Sequence, residues 1–109
     1  MKKLIVCTLA LLVAGVVSVR AADAKDTWAK DCAKCHGPDG AGKTKMGAKA
    51  GVKDYTDAKV QSSFTDDQLA KAIKDGVKEG DTTKMKAYGD ALSDGDIKGL
   101  VAYIRSFKK

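Results

Sequence analysis

Apolar side chains recur at helical spacing in three stretches of this chain, and no segment alternates like a convincing strand. The first stretch is Ala24–Cys35, with Trp28 and Cys32 on one face; Gly37, Pro38 and Gly40 stop it. The second opens at Thr65, where Thr65 and Gln68 form a capping box. It is expected to bury Leu69, Ala72, Ile73 and Val77, with Gly76 closing it. The third opens at Ser93-Asp94-Gly95-Asp96, with acids where the helix dipole favours them. Ile97, Leu100, Val101, Ile104 and Phe107 repeat along it, and Arg105, Lys108 and Lys109 suit its end. Gly37–Tyr55 and Gly80–Asp90 read as loops. The pattern predicts an all-α domain of three to four short helices. Its loops are long for so small a domain, and such loops are usually functional or wrapped around something.

An apolar run of a different kind lies at the start. Two lysines in Met1–Lys3 precede Leu4–Val19, which carries no charge, and small residues follow at a Val-x-Ala site. The run is shorter than the ~20 residues that span a bilayer. It reads as a secretory signal peptide over residues 1–21, cleaved after Ala21, with Ala22 the nearest rival. The working domain would be residues 22–109, in the periplasm and without a membrane span. Cleavage removes Cys7 together with Lys2, Lys3 and Arg20, and lowers the net charge from +6 to about +3. Arg105 is then the sole arginine, and no basic run is interleaved with aromatics. No nucleic-acid footprint is present.

What remains is a thin core. Trp28, Phe64, Phe107 and three tyrosines are its aromatics, and only ten Val, Leu and Ile follow Trp28. Domains this small bury a modest share of their surface and often need a staple. A large apolar cofactor would supply the missing volume.

The stretch "DCAKCHGPDG" crowds Cys32, Cys35, His36 and Pro38 into ten positions, with the chain's one His and one Pro among them. C-x-x-C-H is the spacing of c-type haem attachment. Thiols at i and i+3 near a helix end point to one side and reach the two vinyl groups on one porphyrin edge. His36 follows directly, so its imidazole can turn under the ring as an axial ligand. A thioredoxin-like pair belongs beside a βαβ pattern that is missing here. A zinc site needs about four nitrogen or sulfur ligands, and the chain without its signal peptide offers three, Cys32, Cys35 and His36. For the sixth iron position the chain offers Met85, 49 residues beyond His36, ahead of Met46 or an open position. An ordinary gap-filling role suits neither Met well, because both have charged or glycine neighbours.

Three segments in order, "WAKDCAKCHGPDGAGK", "MKAYGDALSD" and "IKGLVAYIRSFKK", make the chain resemble a class I monohaem c-type cytochrome of the small bacterial kind. The resemblance implies a cytochrome c-like fold around one covalent haem c, with N- and C-terminal helices crossing at Trp28, Leu100 and Tyr103. It also shows two departures. Met85 is followed by Lys86 where the family often has Pro, which predicts a looser ligand segment, although Tyr88 fits the aromatic three residues on. No Pro lies about ten residues past His36 to present a carbonyl to its ring, so a carbonyl within Met46–Val52 is expected to serve instead.

The function expected is one-electron transfer by a monomer, with Cys32, Cys35, His36 and Met85 binding the cofactor and His36 and Met85 bound to the iron. Two filled axial positions describe a carrier and not an enzyme; a haem enzyme or gas sensor with an open sixth position is the alternative. Redox partners would dock transiently at the haem edge, where Lys34, Lys43, Lys45, Lys49, Lys84 and Lys86 can steer an acidic partner.

Overall fold

The structure is a computed structural model and describes residues 21–109. The expected signal peptide, Cys7 included, lies outside the described residues up to Arg20. The helical class holds, in more and shorter pieces than the spacing predicts. Helix α1 (Ala21–Thr27) runs into a π-helical segment (Trp28–Cys32) and then α2 (Ala33–His36). Two short helices, α3 (Lys45–Ala50) and α4 (Ala58–Ser62), follow; α3 lies within the stretch expected to be loop. Next come α5 (Asp66–Asp75), a hairpin of β1 (Val77–Glu79) and β2 (Thr82–Met85), and α6 (Asp94–Arg105).

The starts of the two longest helices follow from local chemistry. At α5 the Thr65 hydroxyl accepts from the Gln68 N–H while the Gln68 side chain accepts from the Thr65 N–H. Ser93 and Asp96 repeat this box at α6. Gly76 caps α5, and the chain then turns into the hairpin. Val77 is therefore 41% exposed, and not buried as the helical reading expects. Each strand is too short, and too exposed on both faces, to show alternation in the sequence.

The core gathers where α6 meets α1 and α5. Ala24 and Trp28 come from the first helix, Leu69 and Ile73 from α5, and Ile97, Leu100, Val101 and Ile104 from α6. The Trp28 ring lies 5.9 Å from that of Tyr103 and 5.0 Å from that of Phe107, so the helices cross where the resemblance implies. Among the described residues one polar side chain sits inside. Gln61, 5% exposed, donates to the carbonyls of Tyr55 and Ile104 at 2.7 and 2.8 Å. Arg105 caps this arrangement by donating to the Gln61 Oε1, the Phe64 carbonyl and Asp66. Far from merely suiting a helix end, Arg105 pins the α4–α5 connection to α6.

The Trp28 indole N–H also donates to the Gly37 carbonyl at 2.9 Å in a buried site. Trp28→Phe removes this bond and some core volume. It should lower the stability of the haem-loaded protein by about 1–3 kcal/mol in denaturant titration.

Candidate haem site

The attachment turn emerges from the π segment. The Ala33 N–H donates to the Trp28 carbonyl five residues back, which carries the helix directly into Cys32–His36. Thr44 then fastens the turn from below: its hydroxyl donates to the Cys35 carbonyl at 2.8 Å and accepts from the Gly47 N–H at 2.8 Å. One side chain thus caps α3 and satisfies the carbonyl of the second cysteine. Gly47 allows the close approach, since a Cβ there would stand 2.2 Å from the Cys35 carbonyl oxygen.

Above the turn lies a cavity of about 570 Å³. Cys32, Cys35 and His36 form one part of its wall and Met85 another, so all four residues expected from the sequence face one space. Tyr55, Phe64, Leu69, Ala72 and Val77 contribute to the remaining wall, which is largely apolar. A second cavity of about 30 Å³ shares Cys32, His36, Tyr55, Leu69, Ala72 and Met85 with the first. Met46, 45% exposed, also lines the larger cavity. Volume and lining suit a cofactor pocket.

His36 is held between two rings, with Trp28 at 5.4 Å and Tyr55 at 5.5 Å. Burial lowers its pKa and keeps the imidazole neutral, the form that ligates metal. Its Nδ1 is buried without a hydrogen-bond partner, so no carbonyl of Met46–Val52 takes up that nitrogen. An imidazole with spare bonding capacity on the wall of an apolar cavity fits a haem iron.

The cysteines are unbridged. Burial, with help from Asp31 and Cys35, pushes the Cys32 thiol up to about 11. A redox-active pair requires the opposite shift, toward thiolate. Among the described residues no three His, Cys, Asp or Glu side chains are placed to hold a metal ion. The thioredoxin-like and zinc readings both lose support, and the residues present fit a porphyrin.

Charge on the wall is mostly positive. Lys34, Lys84 and Lys86 line the cavity as expected, and Lys53 joins them unforeseen; Lys43, Lys45 and Lys49 do not. The Lys53 ammonium sits 5.6 Å from the Phe64 ring centre and that of Lys86 5.8 Å from Tyr88, contacts that hold both charges near the mouth. Among the described residues Asp31 is the one carboxylate on the wall. Sequence reasoning missed Tyr55, Phe64 and Thr44. For Thr44 a signal existed, because a threonine before a helical stretch is a cap candidate.

Comparison with known proteins agrees with this geometry. The model of the family described as cytochrome C oxidase, cbb3-type, subunit III, matches residues 19–104. Among solved structures the chain is similar to the KustC0563 c-type cytochrome, with 30% sequence identity and a TM-score of 0.72, over 80% of this chain and 99% of that one. A tyrosine-to-phenylalanine mutant of Kustc0563 is also similar, with 29% identity and a TM-score of 0.69 over 79% and 99% of the two chains. No curated protein matches the chain. A family match across most of the described residues and a largely apolar cavity lined by a C-x-x-C-H turn lead to one conclusion: the chain belongs to this family of small c-type cytochromes, and its cofactor is covalently bound haem c.

Proposed function

We propose that this cytochrome is an exported, monomeric one-electron carrier, with haem held through Cys32 and Cys35 and its iron bound by His36 and Met85. The observation that carries the reading is the convergence of Met85, 49 residues from His36, on the cavity that the attachment turn lines. Bound there, the haem supplies reversible one-electron redox chemistry at its iron.

The chain's residues divide the remaining work. Cys32 and Cys35 would hold the haem through thioether bonds, each S–H added across one vinyl group, so the cofactor would survive repeated encounters outside the cytoplasm. Trp28 and Tyr55 hold the His36 ring between them. The Met85 thioether favours the reduced iron, and the apolar wall adds to that preference. With His36 and Met85 both holding the iron, no position on it would be left for a substrate. Residues 1–21 serve as the signal peptide, and residues 22–109 are the working domain in the periplasm. Among the described residues no helix is long and apolar enough to cross a membrane. Lys34, Lys53, Lys84 and Lys86 at the cavity draw in redox partners that carry carboxylates around their own docking sites.

Protein made in a host that matures c-type cytochromes should have the mass of residues 22–109 plus one haem. Replacing both Cys32 and Cys35 with Ala should abolish the linked mass. Free, alkylatable sulfurs in the unsubstituted protein would end the proposal.

Carbon monoxide tests the axial pair. The ferrous protein should bind it slowly at neutral pH, and Met85→Ala should bind it promptly and have a lower reduction potential. Prompt binding without the substitution would instead indicate an enzyme or gas sensor with an open sixth position.

Charge steering is testable with small oxidants. Changing Lys84 and Lys86 to Glu should slow oxidation by anionic hexacyanoferrate(III) about tenfold at low salt, with the difference shrinking as salt is added.

A further inference from the structure

Met85 lacks the following proline that would stiffen its segment, since Lys86 stands there. Its backbone is nonetheless tied to the rest of the fold from three directions. Across the hairpin, Met85 pairs with Val77. Beyond it, the Tyr88 N–H donates to the Ile73 carbonyl at 2.9 Å and the Gly89 N–H to the Lys74 carbonyl at 3.0 Å, joining the segment to the end of α5. The Tyr88 hydroxyl donates to the Asp31 carbonyl at 3.2 Å, next to Cys32. The two sides of the haem site are thereby linked directly.

Gly76 is where this clamp closes. Its φ of 75° and ψ of −176° lie in a region open essentially to glycine alone. A Cβ on it would stand 2.5 Å from the Met85 carbonyl oxygen and 2.8 Å from the Ala87 nitrogen, both backbone atoms that cannot swing away. Ordinary contact begins at 3.4 Å, so the strand would have to retreat by about 0.9 Å. That exceeds the tolerance of about 0.5 Å within which a preorganised ligand works.

We infer that Gly76 is a positioning residue for the axial methionine: its missing side chain lets α5 grip the Met85 backbone and hold the thioether at the iron. The inference rests on the His36/Met85 ligation proposed above. Methionine has three rotatable bonds and would otherwise sample many placements. The grip replaces the stiffness that a proline gives.

Gly80 supplies the control. It too has a positive φ, 60°, but a Cβ there meets nothing within 4 Å. Gly76→Ala and Gly80→Ala both place an alanine at positive φ, and only the first brings a Cβ against the Met85 backbone. The haem-loaded proteins are compared by the ring-current-shifted methyl resonance of a ligated methionine in the ferrous state, and by the rate of carbon monoxide binding. Gly76→Ala should weaken the resonance and speed binding about tenfold, while Gly80→Ala should match the unsubstituted protein. Equal behaviour of the two variants overturns the inference. If the unsubstituted protein lacks the shifted resonance, and Met85→Ala leaves carbon monoxide binding unchanged, the ligation itself is wrong and the inference falls with it. Should Gly76→Ala not fold with haem, Tyr88→Phe carries the test of the same clamp. It removes one hydrogen bond and should speed binding about threefold; no change overturns the inference.

Discussion

One indole ring joins the core of this cytochrome to its chemistry. Trp28 is 3% exposed, packs against Tyr103 and Phe107 of the C-terminal region, and lies 5.4 Å from His36 on its other side. Its N–H closes onto the Gly37 carbonyl, one residue past the histidine. Packing of α1 on α6 and placement of the attachment turn are therefore one event. The cavity depends on this coupling, because α5 and the hairpin supply part of its remaining wall, and α5 is anchored on α6 as well.

A second constraint is polar. Gln61 carries buried donors into the space between α4 and α6, and they satisfy carbonyls at Tyr55 and Ile104. Tyr55 is the second ring stacked near the histidine, 5.5 Å away. Both aromatic neighbours of that imidazole are consequently tied to α6, Trp28 through ring packing and Tyr55 through an amide. Loss of a buried polar partner leaves desolvated groups unpaired, so this link is less forgiving than an apolar contact.

What could be read from the sequence follows from how local each signal is. The capping boxes at Thr65 and Ser93 and the apolar face of α6 involve residues within a few positions of each other, and they appear where the spacing puts them. C-x-x-C-H is equally local, and it points to the haem that the family carries. The hairpin is not legible, since Val77 is exposed and strands of three and four residues show no alternating burial. Neither is the Arg105 network, whose partners lie 39–44 residues away and whose charge resembles an ordinary helix-end cation. The cluster of lysines at the cavity is half legible: neighbours in sequence suggest Lys84 and Lys86, while Lys53 arrives through the fold.

The π segment ahead of Cys32 has a consequence for how this chain can vary. A helix turns about 100° for each residue of regular α geometry, and the wider turn here accommodates an additional residue between the indole and the first thiol. Wound at regular α spacing, the same number of residues would overshoot by that 100° and swing the tryptophan out of register with the histidine. The interval from aromatic to cysteine is thus set by helix phase, and a shorter or longer interval in a descendant sequence would demand a compensating shift in the C-terminal helix.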